Sequence, residues 1–61
     1  MSIAVAIQKG SQVYVYDTSN RIIYIKSGQL HGYTSTTVNV INGSTIYTYD
    51  ERGCIKFTHS L

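Results

Sequence analysis

The sequence predicts an all-β protein: two tandem three-stranded antiparallel meanders forming a small pseudo-twofold, six-stranded sandwich or partly open barrel. Three observations lead there. The chain has no proline and no apolar spacing of helical period; Ile, Val, Tyr and Thr alternate along it, as suits a pleated surface. Gly, Asn and Asp punctuate the alternation as turn formers. The chain also matches itself when displaced by 33 positions, from Tyr14 to Tyr47, so that residues 5–27 fall on 38–60 without a gap. Eight of the 23 pairs are identical: Val5/Val38, Gly10/Gly43, Ser11/Ser44, Tyr14/Tyr47, Tyr16/Tyr49, Asp17/Asp50, Ile22/Ile55 and Ser27/Ser60. Chance would give about one or two at ordinary residue frequencies. One half is therefore an internal control for the other.

Repeat one covers about residues 2–28, a connector about 28–36, and repeat two about 36–61. The first strand, residues 3–8, stops at Lys9-Gly10, which stands where repeat two has Asn42-Gly43. Asn-Gly is the strongest two-residue hairpin signal, because a type I′ turn needs positive φ at both central positions. The second strand, 12–17, runs into Asp17-Thr18-Ser19-Asn20, matched later by Asp50-Glu51-Arg52-Gly53. Each of these closes on a residue that tolerates the left-handed region. A type I turn with a G1-type bulge is expected, the aspartate accepting turn amides. The third strand is 21–27. The connector, with two glycines and a small polar run, reads as a loop. Strands 36–41, 45–50 and 54–59 repeat the pattern.

A turn at Asn42-Gly43 pairs Ile41 with Ser44 and Val38 with Tyr47, which puts Val38, Val40, Tyr47 and Tyr49 on one face. Val5, Ile7, Tyr14 and Tyr16 are their equivalents; Ile22, Tyr24, Ile55 and Phe57 join them. These pairs stay apolar or aromatic in both copies, so this is the expected inner face. On the other face Ala6/Asn39, Val15/Thr48, Ile23/Lys56 and Ile25/Thr58 are apolar only in the first copy. Val13, Val15, Ile23 and Ile25, with Ala4 and Ala6 beside them, are thus expected to form a patch covered by a second chain, giving a dimer. Exchange of a meander through the connector is another route to the same end. A single continuous six-stranded sheet is the alternative architecture.

At 61 residues the chain is one small domain that buries only about 60% of its unfolded surface and needs a staple or a partner. Cys54 is the only cysteine, so no internal disulfide is available. Cys54, His31 and His59 lack short ligand spacing, and no metal or other cofactor is expected. A lone thiol fits a reducing compartment. The apolar start has no basic n-region and is too short to span a bilayer, so a cytoplasmic location without membrane contact is expected. A net charge of +2 does not call for a polyanionic partner, which disfavours nucleic acid.

No catalytic constellation is legible. His31, His59 and Cys54 lack a partner that would orient them, while Asp17 and Asp50 have local duties in their turns. Of the six tyrosines, Tyr14, Tyr16, Tyr24, Tyr47 and Tyr49 fall on the expected inner face and are expected to build the core, while Tyr33 lies in the connector. The expected function is that of a non-catalytic β protein acting by self-association and protein–protein interaction, through the patch or an open strand edge. The alternative is a ligand-binding module for single-stranded nucleic acid or carbohydrate, with Tyr33, His31 and Lys26 as contacts.

Tyr14-Val15-Tyr16-Asp17-Thr18-Ser19-Asn20-Arg21-Ile22 and Tyr47-Thr48-Tyr49-Asp50-Glu51-Arg52-Gly53-Cys54-Ile55 resemble the Tyr-x-Tyr-Asp-x-x-Gly-Arg-hydrophobic unit of YD (Rhs-type) repeats. Asn20 stands for the glycine in the first copy and Cys54 for the arginine in the second. The resemblance covers about nine residues in each copy. It implies strand–turn–strand elements of the kind that build the β shells around encapsulated toxins.

Overall fold

The computed structural model describes residues 2–61. All of its regular structure is β: β1 (Ile3–Lys9), β2 (Gln12–Asp17), β3 (Ile22–Ser27), β4 (Gln29–Tyr33), β5 (Thr37–Asn42), β6 (Thr45–Asp50) and β7 (Ile55–Ser60). Two antiparallel sheets result, one ordered β1-β2-β3 and the other β4-β5-β6-β7.

The connector is not a loop, which corrects the sequence expectation. Most of it is β4, paired along β5. Its apolar residues, Leu30 and Tyr33, stand three apart and so look out of phase for a strand. A bulge between Leu30 and Gly32 absorbs the extra residue, so that Leu30 faces Val40 and Tyr33 faces Val38. Leu30 then packs against the core, which gives the strand its reason to form.

The tight turns also differ in type from expectation. The paired ends are Lys9↔Gln12 and Asn42↔Thr45, so the central residues are Gly10-Ser11 and Gly43-Ser44. Gly10 and Gly43 have φ of 60° and 67°, while neither serine has positive φ. One positive φ at the first central position is the type II′ arrangement, for which glycine is suited. The register therefore shifts by two residues from that expected: Val38 pairs with Tyr49 and Val40 with Tyr47. A shift of two preserves side-chain parity, so the face shared by Val38, Val40, Tyr47 and Tyr49 survives.

The longer turns behave as expected and match bond for bond. The Asp17 carboxylate accepts from the Ser19 and Arg21 amides at 2.8 and 3.0 Å, and Asp50 from Arg52 and Cys54 at 2.8 and 2.9 Å. Asn20 and Gly53 close the turns at φ of 63° and 88°. One feature beyond them was not legible. A one-residue bulge follows each turn, so Tyr16 pairs with Ile22 but Val15 with Tyr24, and Tyr49 with Ile55 but Thr48 with Phe57. Tyr24 and Phe57 therefore lie on the faces opposite to those expected.

The core shows which faces turn inward. Ile3, Ala6, Val13, Val15, Val38 and Val40 are buried as one cluster, with Ile23, Tyr24, Leu30 and Tyr49 packed against it. In the second half the expected face is inward. In the first half it is the reverse: Ala6, Val13 and Val15 point in, while Ile7 and Ile22 are 40% and 50% exposed. Both faces of β1–β3 are apolar, so alternation alone could not choose between them. Size and polarity decide, because small all-carbon Val and Ala pack closely under Val38 and Val40, whereas tyrosine hydroxyls need a partner or water.

The sheets meet at a corner and along an edge. Gly28 is the single residue between β3 and β4, at φ 131°, and a Cβ there would lie 2.6 Å from the Ile41 carbonyl oxygen. Alongside, β1 and β4 are tied at both ends. The Ile3 amide donates to Ser35 O at 2.8 Å, and the Leu30 amide to Gln8 Oε1. Gln8 Nε2 also donates to the carbonyls of Gly28 (3.0 Å), Gly10 (2.9 Å) and Gln12 (3.2 Å).

Candidate functional site

Because the first half turns its Val13 side inward, the opposite side of β1–β3 is left open. Cross-strand pairing places Val5 beside Tyr16, Ile7 beside Tyr14, Tyr14 beside Ile25 and Tyr16 beside Ile22. These six form one face, and Lys9 at the end of β1 closes it with its ammonium over Tyr14. Ile7, Ile22 and Ile25 are each at least 40% exposed, while Val5, Tyr14 and Tyr16 are half-buried by their neighbours. Lone exposed aliphatics are ordinary on a protein surface, whereas these three stand on one face beside two tyrosines.

Val13, Val15, Ile23 and Ile25, expected as a patch for self-association, do not form one exposed surface, and this is a second correction. Val13 and Val15 are 0% exposed, covered by the chain's own second sheet and unavailable to another molecule. Ile23 is half-buried against the core. Of the four only Ile25 is open, and the bulge at Ile23 puts it on the outer face, paired with Tyr14.

A second face, mixed apolar and polar, lies on the far side of β5–β7. Here Ile41 pairs with Ile46, Asn39 with Thr48, Thr48 with Phe57, and Ile46 with His59. Phe57 is 60% exposed. The Thr48 hydroxyl, which is buried, donates to Asn39 Oδ1 at 2.7 Å. Every residue of β7 is exposed, and β7 ends its sheet.

Three of the tyrosines, Tyr24, Tyr47 and Tyr49, form a cluster between the sheets. The Tyr24 and Tyr49 centroids are 6.2 Å apart, and Tyr49 stacks on Tyr47 at 6.3 Å. The Tyr24 hydroxyl donates to the Asp50 carbonyl at 3.0 Å. Burial, the Asp50 charge and Tyr49 together push its pKa up to about 12. Burial and then Tyr47 raise that of Tyr49. The Asp50 carboxyl is held below its usual range by the Cys54 amide first and the Arg52 amide next. The Lys26 ammonium lies 4.8 Å from the Tyr49 centroid and 5.7 Å from that of Tyr24, and Lys9 lies 4.9 Å from Tyr14. At exposed sites such contacts contribute about 0.5–1 kcal/mol each.

The residues expected as ligand contacts are spread over separate elements. Lys26 sits on β3 over the tyrosine pair. His31 occupies the bulge of β4, and Tyr33, 43% exposed, ends that strand against Val38. Among the described residues no hydrogen bond joins Lys26 to His31 or Tyr33. Cys54 is an exposed free thiol. A shallow hollow of about 410 Å³ at the Gly28 corner is lined by Gly10, Ser11, Ser27, Gly28, Gln29 and Asn42, which offer hydroxyls and amides but no titratable side chain. Gln8, the side chain that ties this corner together, carried no signal in the sequence. It aligns with Ile41 and looks like an ordinary strand-end polar residue.

No helix of the described residues is long and apolar enough to cross a membrane. Comparison of the chain with known protein families, with curated proteins and with solved structures returns no match.

Proposed function

We propose that this chain is a small non-catalytic β protein of the cytoplasm that works by self-association and, through it, by protein–protein interaction, a dimer being the smallest assembly. The observation that carries this reading is the apolar outer face of β1–β3, where Ile7, Ile22 and Ile25 stand exposed beside Tyr14 and Tyr16, with Lys9 at its edge over Tyr14. So small a chain gains stability by covering that face. Two meander repeats packed as a small open sandwich, with β4 added at the edge, is the architecture that belongs with it. The YD-type resemblance enters only as local hairpin geometry, supported by the matching aspartate-bonded turns.

Light scattering on a size-exclusion column tests the proposal. The wild-type chain should run above its monomer mass of 6.8 kDa, and Ile7→Lys/Ile25→Lys should return it to monomer with an unchanged strand spectrum. A wild-type chain that stays monomeric up to millimolar concentration refutes it. The exposed ring of Tyr33 supports a second reading, a ligand-binding module for carbohydrate or single-stranded nucleic acid. That reading requires salt-sensitive oligonucleotide binding or tyrosine quenching by sugars.

A further inference from the structure

We infer that the chain assembles head to tail, the outer face of β5–β7 on one copy covering the outer face of β1–β3 on the next. This rests on the self-association proposed above and adds which surface meets which.

The basis is an inequality between the halves. In the second half, Val38 and Val40 turn inward. They meet Ala6, Val13 and Val15 of the first half, in the shared core. On the 33-residue alignment, the counterparts of Ala6, Val13 and Val15 are Asn39, Ile46 and Thr48. Those lie on the opposite side of the second sheet from Val38 and Val40. The contact inside one chain therefore joins two unlike faces: the Val38 face of one half and the Val13 face of the other.

A contact between unlike faces leaves one of each kind uncovered, which the structure displays. The first-half twin of the Val38–Val40 face is Val5–Ile7, and it is open. The second-half twin of the Val13–Tyr24 face carries Ile46, Thr48 and Phe57; Phe57 is left 60% exposed, while Ile46 is half-buried and Thr48 buried among its strand neighbours. Docking the second onto the first repeats, between chains, the arrangement already built within one. Like-to-like contact would close at a dimer, whereas this one continues.

Chemistry permits the match. The charged side chains of the two faces stand towards strand ends: Lys9 closes β1 with its ammonium 4.9 Å from the Tyr14 centroid, and His59 lies near the end of β7. The middle of the contact, with Ile7, Ile22, Ile25, Ile46 and Phe57, carries no charge that docking would strip of water. The polar group at the centre, the Thr48 hydroxyl, is already bonded to Asn39, so covering it leaves that group satisfied.

A complementation experiment tests the inference. One variant, Ile7→Lys/Ile25→Lys, spoils the β1–β3 face; the other, Phe57→Lys, spoils the β5–β7 face. All three residues are exposed, and circular dichroism confirms that each variant folds, with Phe57→Ser used if the lysine variant loses its strand signal. The expected result is a wild-type mass that climbs with concentration past the dimer, two variants that are each monomeric alone, and a one-to-one mixture that forms a dimer and grows no further. Phe57→Lys assembling like wild type, or a mixture that stays monomeric while wild type assembles, overturns the head-to-tail mode but leaves self-association standing. A monomeric wild type overturns both.

Discussion

Replacing Gly28 by alanine should cost most of the stability of this protein. Gly28 sits at φ 131°, where L side chains are strained, and a Cβ there would stand 2.6 Å from the Ile41 carbonyl oxygen and 2.7 Å from Val40 Cγ1. Backbone strain in such a region costs roughly 1–3 kcal/mol. Displacing a backbone oxygen and a packed core methyl adds roughly another 1–3 kcal/mol. The stiffer unfolded chain returns about 0.4–1 kcal/mol to the alanine form. The net loss is about 1–6 kcal/mol, against a total of about 3–9 kcal/mol for a chain of 61 residues. Two controls separate the causes. Gly10 has φ 60° with nothing within 4 Å of its Cβ position, and Gly32 has neither a positive φ nor a close neighbour. Gly10→Ala should cost about 1 kcal/mol and Gly32→Ala about nothing. Urea unfolding followed by circular dichroism, at one fixed protein concentration, reads the difference. At roughly 1 kcal/mol per molar urea, Gly28→Ala should lose about 3 M in midpoint at the middle of that range, or fail to fold. A midpoint no lower than that of Gly10→Ala would refute the corner reasoning.

Val15→Lys should abolish folding, because it buries a charge at a position that is 0% exposed; loss of the strand spectrum checks this, and a folded variant defective only in assembly would count against it. Gln8→Ala removes the acceptor of the Leu30 amide and should speed hydrogen exchange at Leu30 while costing about 1–3 kcal/mol. Tyr24 keeps its proton longer when folded, with a pKa near 12 against 10 unfolded, so the folded state binds more protons between those values. Stability should therefore be intact below pH 10 and fall as the pH rises towards 12, and Tyr24→Phe should flatten that fall. Asp50 is shifted the other way, with its folded pKa below 3.8. Its contribution is present above that pH and disappears as acid is added, so Asp50→Asn should show less acid sensitivity in a pH series of urea midpoints.

Local chemistry was legible wherever it stayed local. The aspartate turns, their left-handed closing residues and the strand segments follow from residue type and spacing, because each depends on a few neighbouring atoms. The face of β5 also came through, since a two-residue error in register leaves parity intact. The bulges at Ile23 and Lys56 did not. They add a residue with no special composition, and each sends the aromatic that follows, Tyr24 or Phe57, to the other side of its sheet. Strand β4 was missed for the same reason, because its bulge places Leu30 and Tyr33 three apart. The candidate face inherited these errors. Val13 and Val15 were expected on the surface, and only Ile25 of the four proves to be open.

By itself the sequence determined that the chain is all-β and that its longer turns are built on Asp17 and Asp50, since strand propensity and turn geometry are written residue by residue. It could not decide which side of β1–β3 faces in, because both sides are apolar and period-two alternation is silent when both phases qualify. The tertiary structure decided that. Close packing beneath Val38 and Val40 admits Ala6, Val13 and Val15, and the larger hydroxyl-bearing Tyr14 and Tyr16 remain where their polar ends can reach water.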